Sequence, residues 1–439
     1  MAIKIYKLPA PKKPVPDSNW LKLDNAAKIY PAAMSRKWTA IFRLSCELTE
    51  EVDPRILSAA LSNVRPRFPS FFQKLKKGFF WYYLERINDI PDIQKDVANP
   101  CVHMDLHENK GFMFRVRYHN KRIAVEFFHV LTDGTGGMRF LKTLVAEYLW
   151  LKYNAQIPRD DEILDCRESP SAEELEDSFL KHSGLVGYTK AESTAYHIPG
   201  TLEDEEYLHI ITGMMPVSAI REKAHELGVT ITEFLCAVML LSIHDIQKLA
   251  ESDQRRFKPV KISIPVNLRK FYPTKTLRNF SSYVNPGIDP KFGDYSLREA
   301  AQLIHHFMGI EASEKVLNAK FSDNVNKEKI RILRAAPLFI KNPIMRLAFR
   351  KGGDRTTSST FSNLGNVVLP PEMEKYVTRF DFILGPLSFT KVKCAAVSYR
   401  GKLYLNFSRK IKETAYERNF FTRLVRMGVH VLVESNQPH

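Results

Sequence analysis

Hydrophobic and polar residues alternate along several short stretches in the first third of the chain, and this pattern predicts strands. In residues 37–48 every second side chain is apolar, and these side chains lie on one face, which is typical of a half-buried strand. Residues 112–130 hold two alternating runs separated by Asn120 and Lys121. Two strands joined by two polar residues predict a β-hairpin, with His129 on the apolar face at the end of its second strand.

Apolar residues at helical spacing predict helices between and after these strands. Asp53 and Pro54 suit the cap and the first turn of a helix that ends before Pro66. A second helix is predicted from about Met138. Its buried face comprises Met138, Leu141, Leu144, Val145 and Leu149. A long helix from Thr230 has the capping-box pair Thr230 and Glu233 and is apolar nearly all round, so we expect it to be buried.

The remaining chain predicts further strands at residues 260–268, 356–370, 380–389 and 393–408, and a terminal helix near 414–430. Strands and helices alternate on both sides of an acidic segment. Residues 158–181 carry nine acidic residues against three basic ones, with little apolar period. We therefore predict an α/β (layered α+β) protein of two related subdomains, 1–155 and 201–439, joined by a crossover linker, 156–200.

Composition narrows the class of protein. The 439 residues are 44% hydrophobic, and no run reaches the roughly 18 to 20 consecutive apolar residues of a membrane span. The first residues lack a signal-peptide core, so we expect a cytoplasmic protein. The net charge of +16 is scattered and has no nucleic-acid-binding motif, which disfavours a nucleic-acid partner and fits a smaller polyanion or an acidic membrane surface. Five separated cysteines without a CxxC pair indicate reduced thiols, and no metal site is expected.

The hairpin end carries the candidate chemistry. His129 is followed by Asp133 and by glycines at positions 134, 136 and 137 before the helix. A histidine between a rigid strand and a glycine-rich bend suits a general base, because its pKa lies near neutrality. A core or surface histidine beside an ordinary strand-to-helix turn remains the alternative. The stretch lacks the GK[ST] of a phosphate-binding loop, which argues against nucleotide hydrolysis.

The stretch HVLTDG, residues 129–134, resembles the HxxxDG signature of the chloramphenicol acetyltransferase-like, acyl-CoA-dependent acyltransferases. This superfamily includes alcohol acetyltransferases, wax ester synthases and peptide-synthetase condensation domains, and the likeness is greatest to the alcohol acetyltransferase branch. Residues 23–31, 265–280 and 361–365 agree in order and spacing. Phe128 stands where condensation domains often have a first histidine, and the plant-type DFGWG stretch is missing.

The resemblance implies that His129 is the catalytic base in a channel between the two subdomains. Asp133 and Gly134 would be structural, with Arg269 as the first choice for the aspartate's partner and Arg278 as the second. Arg278 could instead be solvated or face the phosphates of CoA. The residues that would bind the cofactor or line the channel are Arg278, Asn279, Ser362 and Asn363. Ser362 and Asn363 could also merely turn the chain.

The expected reaction is therefore O-acyl transfer, acetyl or short-chain, from acyl-CoA to a small or lipid-like alcohol in a direct ternary complex. A carrier-protein-dependent or condensation-type enzyme and a non-catalytic ligand-binding protein are the alternatives, and we expect a monomer. Residues 330–355 are basic and amphipathic, which would suit peripheral contact with anionic lipid. The alternative is an ordinary helix, broken at Pro337 and Pro343, with a solvated basic face.

Overall fold

A computed structural model describes residues 19–33, 38–188, 192–203, 207–330, 335–349, 353, 355–387 and 389–437. Two main sheets, each of mixed strand direction, are flanked by helices, and a small antiparallel sheet stands beside the first. The strands are β1 Trp20–Lys22, β2 Ile41–Leu48, β3 Gln73–Lys77, β4 Tyr82–Arg86, β5 Ile93–Lys95, β6 Phe114–His119, β7 Arg122–Phe128, β8 His209–Pro216, β9 Val260–Asn267, β10 Ser281–Val284, β11 Gly287–Ile288, β12 Ser359–Asn366, β13 Val377–Leu384, β14 Val392–Tyr399, β15 Lys402–Arg409 and β16 Leu432–Ser435. The helices are α1 Ile29–Ala33, α2 Pro54–Val64, α3 Gly134–Tyr153, α4 Ala172–Leu175, α5 Ser178–His182, α6 Val217–Glu226, α7 Ile231–Ala250, α8 Leu297–Glu311, α9 Glu314–Lys329, α10 Leu338–Phe349, α11 Pro371–Glu374 and α12 Ala415–Arg426. This architecture confirms the predicted fold class.

The first main sheet has the order β13-β2-β7-β6-β5. Helices α2 and α3 pack on each other, and α3 also contacts β2 and β7. Their apolar faces meet the sheet in a core rich in phenylalanine, in which Phe71 and Phe140 stack with centroids 4.9 Å apart. The predicted hairpin is confirmed, since His119 pairs with Arg122 across the turn and Asn120 has a positive φ of 48°. This packing holds the end of β7 rigidly.

The second main sheet has the order β10-β9-β12-β14-β15-β8-β16, with β11 beside β9. Helix α7 lies over β9 and contacts α8 and α12. The capping box of Thr230 and Glu233 is present, and the body of α7 is buried, as its apolar sequence predicts. The second core therefore forms around one helix that is exposed to water mainly in its last turn, residues 248–250.

The second half of the chain contributes one strand to the first sheet. Strand β13, from the second half, pairs antiparallel with β2 in the first sheet, and the Gly385 N–H after it donates to the Ile41 carbonyl oxygen at 2.8 Å. Parts of the segment predicted as a linker are packed into the two cores. Ile163 and Leu164 are buried in the first core, whereas Phe179 in α5 is buried in the second. The subdomain boundaries 1–155, 156–200 and 201–439 stay a prediction.

Two predicted helix limits were wrong. Helix α3 begins at Gly134, four residues before Met138, because Asp133 caps it and small residues are tolerated in its first turn. The terminal helix ends at Arg426 rather than near residue 430, and it is followed by the unpredicted edge strand β16. Short edge strands carry little periodicity, so the sequence pattern alone does not indicate them.

None of the helices in the described ranges is, by itself, long and apolar enough to cross a membrane. Helices α6 and α7 pass that test only as a pair that is bent by 81°.

Candidate active site

His129 lies immediately after β7, at the junction of the two halves. Its backbone N–H donates to the Ala40 carbonyl oxygen at 2.9 Å, which anchors the residue to the neighbouring chain. The imidazole stacks on the Tyr30 ring, with centroids 4.8 Å apart and an interplanar angle of 20°. The Phe42 ring meets it edge-on at 5.1 Å. Two aromatic rings thus fix the plane of the imidazole, and the residue is only half-buried, so a substrate can reach it.

Asn279, from the second half of the chain, determines the tautomer of His129. The Asn279 Nδ2 donates to the His129 carbonyl oxygen at 3.0 Å and to Asp24 Oδ2 at 3.2 Å. Both partners only accept hydrogen bonds, so the amide nitrogen must face them and the amide oxygen faces the imidazole. The His129 Nδ1 lies 3.0 Å from Asn279 Oδ1 and therefore donates its proton there. The Nε2 is left unprotonated, which is the state that a general base requires.

Asp24 holds the Asn279 amide in place by accepting a hydrogen bond from its Nδ2. Its side chain also accepts from the Ala27 N–H at 2.7 Å, and it is fully buried. Burial raises the pKa of Asp24 to about 6, against the opposing effect of the nearby Arg278 guanidinium. A buried carboxylate, an amide and an imidazole therefore follow one another in a hydrogen-bonded chain.

Burial lowers the pKa of His129 below its usual value of 6.5. The Asp133 carboxylate and the Asn279 oxygen oppose this shift without cancelling it. The imidazole is therefore neutral at pH 7 and can accept a proton.

Asp133 uses both carboxylate oxygens to join the two halves. Its Oδ1 accepts from the Thr135 and Gly136 N–H groups at 3.2 and 3.1 Å, which caps helix α3. Its Oδ2 accepts from Arg269 Nη1 at 2.7 Å and from the Phe280 N–H at 2.8 Å. Arg269 and these donors outweigh burial and lower the pKa of Asp133 below 3.8.

Arg269 holds the loop that carries Asn279. Its Nε and Nη2 donate to the Thr276 carbonyl oxygen at 3.1 and 3.0 Å, and Nη2 also donates to the Arg278 carbonyl oxygen. The ion pair of Asp133 and Arg269 therefore fixes the loop over residues 276–280 against the start of α3. That loop places Asn279 beside His129. The ion pair of Asp133 and Arg269 therefore positions the imidazole indirectly, through Asn279.

Two glycines permit this close approach. A Cβ at Gly134 would lie 2.7 Å from the Leu364 side chain, within the segment 361–365 of strand β12. A Cβ at Gly136 would lie 2.3 Å from the Leu277 carbonyl oxygen, which is backbone and has little freedom to move. The structure thus brings three stretches that carry the family resemblance, at residues 129–134, 265–280 and 361–365, into one place.

Three other predicted site residues have different surroundings. Arg278 is buried and donates to the Lys22 and Leu175 carbonyl oxygens, so the expectation of a solvated or CoA-facing guanidinium was wrong. Asn363 binds Thr232 Oγ1 and accepts from the Gly365 N–H, which shapes the turn. Ser362 is partly exposed in strand β12.

The five cysteines do not offer a nucleophile. All are buried and unpaired with one another, and burial raises the pKa of each thiol. A thiol that stays protonated is a poor nucleophile. In the described part of the chain, no three histidine, cysteine, aspartate or glutamate side chains are grouped as metal ligands.

The sequence pattern did not indicate the roles of Asp24 and Tyr30. Both lie in residues 23–31, a stretch that the family resemblance includes but to which no chemistry was assigned. Asn279 was predicted as a cofactor or channel residue, whereas it contacts the imidazole directly. The resemblance of the whole stretch was the only signal, because hydrogen bonds over such sequence distances leave no periodicity.

Part of the chain matches a known protein family. Residues 178–288 match the family model described as alcohol acetyltransferase. This range contains Arg269, Arg278 and Asn279, and it ends before Ser362. No curated protein sequence matches the chain.

Solved structures resemble the chain over nearly its whole length. Polyketide synthase associated protein 5 from Mycobacterium tuberculosis is 14% identical, with a TM-score of 0.61 over 94% of this chain and 98% of that one. Trichothecene 15-O-acetyltransferase TRI3 from Fusarium sporotrichioides is 12% identical, with a TM-score of 0.60 over 97% and 98%. A mutant starter condensation domain of rhizomide synthetase RzmA in complex with C8-CoA and Leu-SNAC is 13% identical, with a TM-score of 0.59 over 96% of each chain.

At these identities the structural matches establish the fold, and the family model adds a similarity to alcohol acetyltransferases over residues 178–288. The chain therefore has the two-subdomain fold that these acyltransferases and condensation domains share, and its residues 178–288 are similar to the alcohol acetyltransferase family.

Proposed function

We propose that this protein transfers an acyl group from acyl-CoA to the hydroxyl of an alcohol, with His129 as the general base. The observation that supports this most directly is the bond from His129 Nδ1 to Asn279 Oδ1, which leaves Nε2 free on a neutral imidazole. The match to the alcohol acetyltransferase family supports the alcohol acceptor. A related fold that binds C8-CoA supports the thioester donor.

The proposed reaction proceeds directly between the two substrates. His129 Nε2 removes the proton from the acceptor hydroxyl, and the oxygen of that hydroxyl attacks the thioester carbonyl carbon. The tetrahedral intermediate then collapses, the carbon–sulfur bond breaks, and the imidazolium returns the proton to the departing thiolate. The buried, high-pKa cysteines support a mechanism without an acyl-cysteine intermediate.

While His129 is protonated, its surroundings stabilise the positive charge. Asn279 Oδ1 keeps its bond to Nδ1, and the Asp133 carboxylate acts favourably on the ring. These groups are held before substrate arrives, so no reorganisation is needed during proton transfer. Ser362 is partly exposed in β12, two residues before Leu364, whose side chain approaches Gly134, and it is our candidate for a residue that lines the channel.

A carrier-bound donor is the second candidate, because condensation domains have the same fold. Thiol release from a panel of acyl-CoAs, with alcohols and amines as acceptors, separates the two. Release that depends on the acceptor supports our proposal. Absence of release with every CoA donor, together with transfer from carrier-bound thioesters, would replace it.

Asn279→Ala is expected to lower kcat about fivefold to 150-fold, as for loss of one buried hydrogen bond worth about 1–3 kcal/mol. The imidazole loses the acceptor that selects its tautomer, so KM for acyl-CoA should change little. Asn285→Ala is the matched control, because Asn285 is also buried but bonds Glu192 instead. Equal loss of kcat in both variants at equal thermal stability would contradict a positioning role for Asn279.

The pH dependence of kcat/KM should be flat from pH 9 to pH 7 and fall on the acid side. The base form of His129 exists above its lowered pKa, so activity is lost only as the pH falls through that value. Asp24 titrates with a pKa of about 6, and its protonation weakens its bond to Asn279. Asp24→Asn should therefore remove one of the two ionisations on the acid limb. A decline that begins above pH 7 would show that the base is not a histidine with a lowered pKa.

A further inference from the structure

Helix α10, Leu338–Phe349, shows its apolar side to solvent. The exposed apolar residues recur at helical spacing on one face, with Phe339 at 66% and Ile344 at 59% relative exposure. The members of this face are Phe339, Ile340, Pro343, Ile344 and Leu347. Surface helices normally turn such a face inward, whereas no described part of the chain packs over this one.

Specific contacts hold the helix in this orientation. The Lys341 Nζ donates to the Phe80 carbonyl oxygen at 2.9 Å, and Asn342 Nδ2 donates to the Tyr82 hydroxyl at 2.8 Å. On the other side, Arg346 Nε donates to the Ala32 carbonyl oxygen at 3.2 Å. Polar residues of the helix thus bind the protein while apolar residues face outward.

The sequence expectation for this segment is therefore corrected in part. The helix continues through Pro343 rather than breaking there, and its solvent-facing side is apolar rather than only basic. The other charged residues of the stretch that supported the original expectation, Arg331, Arg334, Arg350, Lys351 and Asp354, lie outside the described residues.

The turn between β3 and β4 extends the apolar surface. Phe79 and Trp81 are 65% and 57% exposed, and Phe80 lies between them with its ring 4.8 Å from that of Phe79. The Phe79 ring meets the Phe339 ring of the helix at 6.4 Å, so turn and helix form one continuous patch. Aromatic side chains of this kind sit at the boundary between headgroups and acyl chains of a bilayer.

Basic residues border this patch. Lys77 in β3, directly before the turn, is exposed and forms no ion pair with a described acidic residue. Arg346 is exposed at the other border. The chain as a whole carries a charge of +16. This charge is complementary to an anionic surface.

The patch is connected to the site through one short helix. Helix α10 packs on α1, and the ring of Tyr30 in α1 stacks on His129. An apolar acceptor dissolved in a bilayer would thus be held close to the proposed base.

We propose that the patch formed by residues 78–81 and the outer face of α10 docks on an anionic lipid bilayer. We assign to this docking the delivery of an alcohol that is dissolved in the bilayer. This role rests on the proposed function, whereas the docking itself does not. Projecting aromatic rings beside exposed cations fit a lipid interface better than a protein partner, which would require a complementary surface.

Vesicle flotation in the absence of substrates tests the docking. Full-length protein should float with phosphatidylcholine vesicles that contain phosphatidylserine at low salt, and less with phosphatidylcholine alone or at high salt. The double variants Phe79→Ser with Trp81→Ser, and Ile344→Ser with Leu347→Ser, should each lower the bound fraction at least about tenfold. Lys77→Glu should lower it about fivefold or more.

Two equally exposed apolar residues elsewhere provide matched controls. Phe292 and Leu249 are 85% and 88% exposed, and Phe292→Ser with Leu249→Ser should float like wild type. Absence of flotation by wild type, or equal loss in this control, would overturn the proposal. A dimer in size-exclusion chromatography that the patch variants dissociate, without flotation, would assign the patch to a second copy instead. If the patch variants lose only the docking, their thiol release with a water-soluble alcohol should stay near that of wild type. Failure of the docking proposal is therefore distinguishable from failure of the proposed function.

Discussion

His129→Ala is expected to lower acceptor-dependent thiol release by about 10² to 10⁴-fold, which is the usual contribution of a positioned general base. The Nε2 of His129 is the unprotonated nitrogen, because Asn279 accepts the bond from Nδ1 and cannot turn its amide without losing two acceptors. Without the imidazole the acceptor hydroxyl keeps its proton at the moment of attack. The effect should therefore lie in kcat, and KM for the acyl-CoA should change much less.

The control for this variant is another histidine. His430 is exposed near the end of the chain, and His430→Ala should keep wild-type activity. Removal of His129 leaves space between the Tyr30 and Phe42 rings, so folding should be checked by thermal denaturation. A folded His129→Ala protein that retains more than about a tenth of wild-type turnover would exclude His129 as the base.

Local patterns in the sequence predicted the framework of this site well. The alternation of residues 112–130 predicted a hairpin that ends at His129, and the capping box at Thr230 predicted the buried helix α7. Each of these signals lies within a few turns or strands of chain, where periodicity and capping chemistry operate. The fold class followed from the order of such elements.

Contacts between distant residues could not be predicted in this way. Asp24, Asn279 and His129 form one hydrogen-bonded chain, although 105 and 150 positions separate the histidine from the other two. Arg278 was expected at the cofactor, but it is buried against the Lys22 and Leu175 carbonyl oxygens. Which of two nearby arginines meets an aspartate depends on the path of a loop, and composition carries no information on that path. The resemblance to a known motif favoured Arg269, which does contact Asp133.

Asp133→Ala should lower the free energy of unfolding by about 3–5 kcal/mol, because it leaves the Arg269 guanidinium buried without its partner. It also removes the cap of α3 and the acceptor of the Phe280 N–H. Urea denaturation at pH 7 measures this loss. Asp53→Ala is the matched control, since Asp53 caps α2 in the same manner near the surface and should cost only about 1 kcal/mol.

The pH dependence of this difference identifies the charge of the Asp133 carboxylate as its source. The pKa of Asp133 is lower in the folded protein than in the unfolded chain, so its contribution is fully present above the unfolded value of about 3.9. It is lost as the pH falls through the lower, folded pKa. Wild type and Asp133→Ala should therefore approach each other in stability below about pH 4, whereas a defect of packing alone would leave the difference unchanged. Because the same pair holds the loop that carries Asn279, the variant should also lower kcat at temperatures where it remains folded.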